Sequence, residues 1–81
     1  MPVLARFSGI VIRLLSLGTM GVRLHAFHGN DELVVDLWEL RVVGGRLPSG
    51  LGQQVLNWAR DHRYAILASL SRMPRRAPSI A

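Results

Sequence analysis

The chain has 81 residues, a formal net charge of +5 and 49% hydrophobic residues, enough for one domain with a modest core and too apolar for a disordered chain. Cysteine is absent, which excludes disulfide staples, zinc–thiolate sites and cysteine nucleophiles and suits a reducing cytoplasm. All ten basic residues are arginine, a side chain that grips phosphate and carboxylate bidentately, so an acidic protein or a nucleic acid is the partner class that the charge suggests.

Residues 1–5 form a short lead-in, and residues 7–15 are rich in β-branched side chains and predict a first strand. Alternation sends Ile10, Ile12 and Leu14 to one face and Val11, Arg13 and Leu15 to the other. The run between Arg6 and Arg13 is too short and too charged at its borders for a signal peptide. No stretch reaches the roughly 20 apolar residues that cross a bilayer, so a soluble cytoplasmic protein with no membrane partner is expected.

Residues 16–21, with Gly18 and Gly21, predict a turn, and residues 22–28 a second strand with Val22, Leu24 and Ala26 opposite Arg23, His25 and Phe27. Gly29-Asn30 is a hairpin signal, because both residues tolerate positive φ. A third strand is expected over residues 32–37, with Leu33, Val35 and Leu37 inward. A break near Trp38-Glu39 precedes a fourth strand over residues 40–43, which Gly44-Gly45 ends.

The last element is a long amphipathic helix over residues 47–73, with Ser49 as N-cap behind Pro48. Gly52 stands where a capping-box Glu or Gln belongs, and Gly50 and Gly52 each weaken the first turn by about 1 kcal/mol relative to alanine. Leu51, Val55, Trp58, Ala59, His62, Ile66, Leu70 and Met73 share one face at spacings of three and four. On that stripe His62 is expected to be a buried structural histidine. Pro74 stops the helix, and residues 74–81, with Arg75, Arg76 and Pro78, form a disordered basic tail.

The expected architecture is therefore α+β: a four-stranded antiparallel β-meander with one long C-terminal helix packed on one face, a single domain over residues 1–73. This layout places Arg13, Arg23, His25, Asp36 and Arg41 on the face away from the helix. Such an Arg–His–Asp cluster can bind phosphate or a protein partner, and His25 held by Asp36 can act as a general base. The same residues also suit a solvated outer face with screened ion pairs. His25 is the one catalytic candidate, and it does not by itself make the chain an enzyme.

His25 and His28 point to opposite faces of a strand and have no third ligand at a recognisable spacing, so neither a metal nor another cofactor is expected. Gly44-Gly45-Arg46 lacks the spacing of a phosphate loop, no serine sits in a nucleophile elbow, and one helix cannot make a helix-turn-helix.

Met1-Pro2, the opening Arg6-Phe7-x-Gly9-Ile10-Val11-Ile12-Arg13, His25-Ala26 ahead of Gly29, Gly45-x-Leu47-Pro48 and Trp58-Ala59-x-x-His62-Arg63 occur in that order. Together they resemble the small bacterial proteins catalogued as domain of unknown function 4160, across residues 1–72. That family's pattern carries Asn-Pro-Pro-His-x-His-Ala ahead of the hairpin. This chain has Met20-Gly21-Val22-Arg23-Leu24-His25-Ala26, without the prolines and with Arg23 in place of the first histidine.

The resemblance implies a stand-alone cytoplasmic protein encoded beside another small protein, an arrangement like that of a toxin–antitoxin pair. The leading expectation is a non-enzymatic protein-binding component of such a pair, its partner the product of an adjacent gene, with a homodimer as a further option. The alternatives are an RNA- or DNA-binding protein or ribonuclease toxin using the Arg/His sheet face, and a small phage or plasmid inhibitor of a host defence system.

Overall fold

The computed structural model describes residues 3–16 and 21–71. Five strands are followed by one helix: β1 (Val3–Phe7), β2 (Ile10–Ser16), β3 (Val22–His28), β4 (Asp31–Asp36), β5 (Arg41–Arg46) and α1 (Leu51–Ser71). The strands pair antiparallel in sequence order, so the sheet is a plain meander. The α+β class and the helix on one face are as the pattern predicts, but the sheet has five strands, not four.

The extra strand comes from Ser8-Gly9. Both residues have positive φ, 52° and 74°, the signature of a type I′ hairpin turn, whose twist matches that of its flanking strands. The expected single strand over 7–15 is thus cut in two: Phe7 ends β1 and pairs with Ile10, and residues 3–5 of the expected lead-in are strand. Ser8 Oγ also donates a hydrogen bond to Gln54 Oε1 at 2.7 Å, tying this turn to the helix.

The core lies between the sheet and α1. Ile10, Ile12, Leu14, Leu24, Ala26, Leu33 and Val35 from the sheet, with Leu37 just past the end of β4 at Asp36 where the third strand was expected to run on to 37, are buried against Val55 and Ala59. These are the inward sets that alternation assigns. Each large side chain among them contributes about 1.5–3 kcal/mol by leaving water. Phe7 stacks on Trp58 with ring centroids 6.5 Å apart, which closes the β1 side of the core.

Two local expectations at the far end need correction. Gly44-Gly45 does not end the last strand, which runs on to Arg46. Gly45 is opposite Leu33 with φ 69°, where a Cβ would overlap the Glu32 carbonyl oxygen, so glycine lets β5 continue past a close backbone approach. Leu40, expected in a strand, is a turn residue with φ 55° whose N–H donates to the Asp36 carbonyl at 2.8 Å.

The helix also begins later than expected. Leu51 N–H donates to Pro48 O at 3.1 Å and Gln54 N–H to Gly50 O at 3.3 Å. Gly50, at φ 85°, therefore stands immediately before the first turn, and Ser49 is not its cap. Residues 17–20 of the turn expected over 16–21, the helix end at Met73 and Pro74, and the basic tail lie outside the described residues.

Both sheet edges are irregular. In β1, Leu4 is an extra residue between the pairs Val3↔Arg13 and Ala5↔Ile12. In β5, Val43 is an extra residue between Val34↔Gly44 and Val35↔Val42. Bulges of this kind twist an edge away from further strand pairing.

Candidate binding face

The helix covers one face of the sheet, and no described element covers the other. Cross-strand partners share a face, so the register orders the open face into rows. Arg6, Val11, Phe27, Glu32 and Arg46 lie in one row. Arg13, His25, Val34 and Gly44 lie in the next, and Leu15, Arg23, Asp36 and Arg41 in the third. Val11, Leu15, Phe27 and Val34 give this face a half-buried apolar component between charged neighbours.

The five predicted site residues do share the face, but not in the arrangement expected. Asp36 is directly opposite both Arg23 and Arg41, two strand positions from His25. Its Oδ1 accepts the Glu39 N–H at 2.9 Å, which orders the β4–β5 turn. His25 is held instead by Glu32: its Nδ1 donates to Glu32 Oε2. The His25 side chain is 18% exposed and that of Glu32 42%.

The Gly29-Asn30 hairpin explains this pairing. Gly29 has φ 58°, as the first central residue of a type II′ turn requires. It pairs His28 with Asp31, then Phe27 with Glu32, and leaves Glu32 diagonal to His25. Diagonal neighbours are within reach of long side chains. His25 also stacks on Phe27, with centroids 6.2 Å apart and planes at 27°. Its ring is thus fixed by a carboxylate on one nitrogen and an aromatic face beside it, with Nε2 as the second nitrogen.

Around this pair the arginines differ. Arg13 is directly opposite His25 on β2. Arg23 has its Nε shielded from solvent without a hydrogen-bond partner, a donor whose desolvation costs about 1–3 kcal/mol until an acceptor arrives. Arg41 Nε donates to Glu39 Oε1 at 2.6 Å. The Glu39 hydrogen bond, then its charge, and more weakly Asp36 hold the Arg41 guanidinium above its usual range against a small opposing desolvation. Arg41 is therefore engaged at the turn and spends its charge there.

His62 is not the buried histidine expected from the helical stripe. It is exposed, donates from Nδ1 to the Trp58 carbonyl at 2.9 Å and stacks on the Trp58 ring at 4.3 Å. Among the described residues no group of three or more His, Asp or Glu could hold a metal ion, and no helix is long and apolar enough to cross a membrane. Set against protein-family models, curated proteins and solved structures, the chain matches none of them.

Proposed function

We propose that the chain is a protein-binding module and that its open sheet face is the contact surface, as one component of a toxin–antitoxin-like pair. The observation that carries the reading is the uncovered face itself, where Val11, Leu15, Phe27 and Val34 are interleaved with Arg13, Arg23 and His25. A partner that buries those apolar side chains gains about 25 cal/mol per Å², and an acidic group on it would satisfy Arg23 Nε. The bulged edges make strand addition the weaker route.

The partner is proposed as the small protein encoded by an adjacent gene, on the strength of the family resemblance. Size-exclusion chromatography of the chain with each adjacent gene product tests this, with Phe27→Asp as the face variant. A co-eluting complex lost in Phe27→Asp supports the reading; no change in elution with either neighbour sinks it.

A second reading rests on the His25–Glu32 pair. With Nδ1 donating to Glu32, the neutral imidazole carries its lone pair on Nε2, which suits a general base beside Arg13 in a ribonuclease toxin. RNA cleavage that persists in His25→Ala would dismiss it.

A further inference from the structure

Charge is distributed unevenly across the open face. Residues 1–30 contain neither aspartate nor glutamate, and all five such residues stand between Asp31 and Asp61. β1, β2 and β3 therefore carry Arg6, Arg13 and Arg23 with no carboxylate on any of the three strands, and the register puts all three arginines on the open face. The two carboxylates that share the face, Glu32 and Asp36, are both on β4, and Arg46 and Arg41 stand directly opposite them on β5. Charges on β4 and β5 thus balance, and the positive surplus lies on the β1–β3 half.

Asp36 also faces Arg23, so the surplus is greatest at Arg13 and Arg6. Those lie two and three strands from β4, about 10 and 14 Å at the usual strand spacing, beyond the roughly 8 Å over which exposed charges interact at physiological salt. Away from this half the other arginines of the turn and helix are engaged. Arg41 is paired with Glu39 and Arg60 with Asp61, and Arg63 donates to the Trp38 carbonyl at 2.6 Å.

We infer that the occupant of this half is an acidic amphipathic helix of the partner protein, an inference that rests on the open face being the contact surface. Val11 and Leu15 bracket Arg13 on β2 and are half-buried. They are about 13 Å apart along the strand, the length of two to three helical turns. From β1 to β3 is about 10 Å, the width of one helix. Apolar side chains on such a helix cover Val11 and Leu15, and carboxylates on its flanks meet arginines that bind them bidentately.

A nucleic-acid strand fits this half poorly. Single strands on a sheet are held by rings that stack on the bases, whereas the two rings of this face, His25 and Phe27, stack on each other with centroids 6.2 Å apart. His25 is also bonded to Glu32. Phosphates leave Val11 and Leu15 uncovered, and a chain crossing toward β5 would pass both β4 carboxylates.

The probe is a fluorescein-labelled helical peptide of about fourteen residues, roughly 21 Å long, with a leucine seam and glutamate flanks. The same peptide with lysine flanks and an oligouridylate of similar length are the comparisons, all read by anisotropy at low salt. The glutamate peptide should bind about tenfold tighter than either. Arg6→Glu combined with Arg13→Glu should weaken it about tenfold, since two pairs are lost and two repulsions gained. Arg6→Glu alone, at an exposed position, should weaken it about threefold. Arg46→Glu, which changes the net charge equally, should leave it within about twofold, and circular dichroism confirms the fold of each variant.

No binding of the glutamate peptide overturns the inference, as do equal binding of the two peptides, tighter binding of the oligonucleotide, or glutamate-peptide binding that survives the arginine variants. The adjacent gene product separates this inference from the reading beneath it. A complex lost in Phe27→Asp yet unchanged by the double arginine variant keeps the face as the contact surface and removes the acidic helix; a complex that survives Phe27→Asp removes the face itself.

Discussion

Gly45→Ala gives the sharpest test of how the last strand is held. Gly45 has φ 69°, and a Cβ there overlaps the Glu32 carbonyl oxygen and comes within 3.0 Å of the carbonyl carbon, both backbone atoms that no side-chain rotation can move. The left-handed conformation costs alanine about 1–2 kcal/mol. Relieving the overlap separates β5 from β4 at Leu33↔Gly45 and Glu32↔Arg46, and two lost ladder bonds add about 2 kcal/mol. The sum, about 3–4 kcal/mol, is a large share of the roughly 4–12 kcal/mol expected for a domain of this size. Gly29→Ala is the control, since Gly29 has φ 58° but nothing within 4 Å of an added Cβ. It should lose only about 1 kcal/mol. Urea unfolding reads both: with a slope near 1 kcal/mol/M, the Gly45→Ala midpoint should fall by about 3 M and the control's by about 1 M. Equal midpoints for the two variants would refute the close β4–β5 approach.

Three other substitutions probe separate parts of the fold. Leu24→Ala empties a fully buried site on the central strand and should cost about 2–5 kcal/mol in the same urea assay. Gly52→Ala adds a helix former whose Cβ would make an ordinary 3.9 Å contact with Leu33 Cδ2. It should stabilise by up to about 1 kcal/mol, raising the thermal midpoint by up to about 4–8 °C. Ser8→Asn places Asn-Gly in the β1–β2 turn, where Ser8 has φ 52°. The better turn residue should offset the lost bond to Gln54 and leave the midpoint level or slightly higher.

Period-two alternation made the sheet's inner face legible, since Ile10, Ile12, Leu24, Val35 and Leu37 all lie where the pattern puts them. The first hairpin was hidden because Ser-Gly is a weaker turn signal than Asn-Gly and β-branched residues follow it directly. A glycine inside a strand pattern was the clue. His25's partner was also within reach: the Gly29-Asn30 turn sets His28 opposite Asp31, which counts back to Glu32 beside His25. Asp36 attracted the assignment because it lies on the right face, but facing alone does not fix register. His62 misled through helical spacing. It sits on the stripe by periodicity, but its ring lies on Trp58 and faces solvent, a detail of packing that spacing does not encode. The bond from Arg63 to Trp38 joins residues 25 positions apart and had no local signature.

The most direct test of the open sheet face as the binding surface is methyl NMR of the chain titrated with the adjacent gene product. Shifts confined to Val11, Leu15 and Val34, and abolished by Phe27→Asp, are the predicted result. Shifts at Val42 and Val43 on the β5 edge, or at Ile66, Leu67 and Leu70 on the helix, with the open face silent, would contradict it.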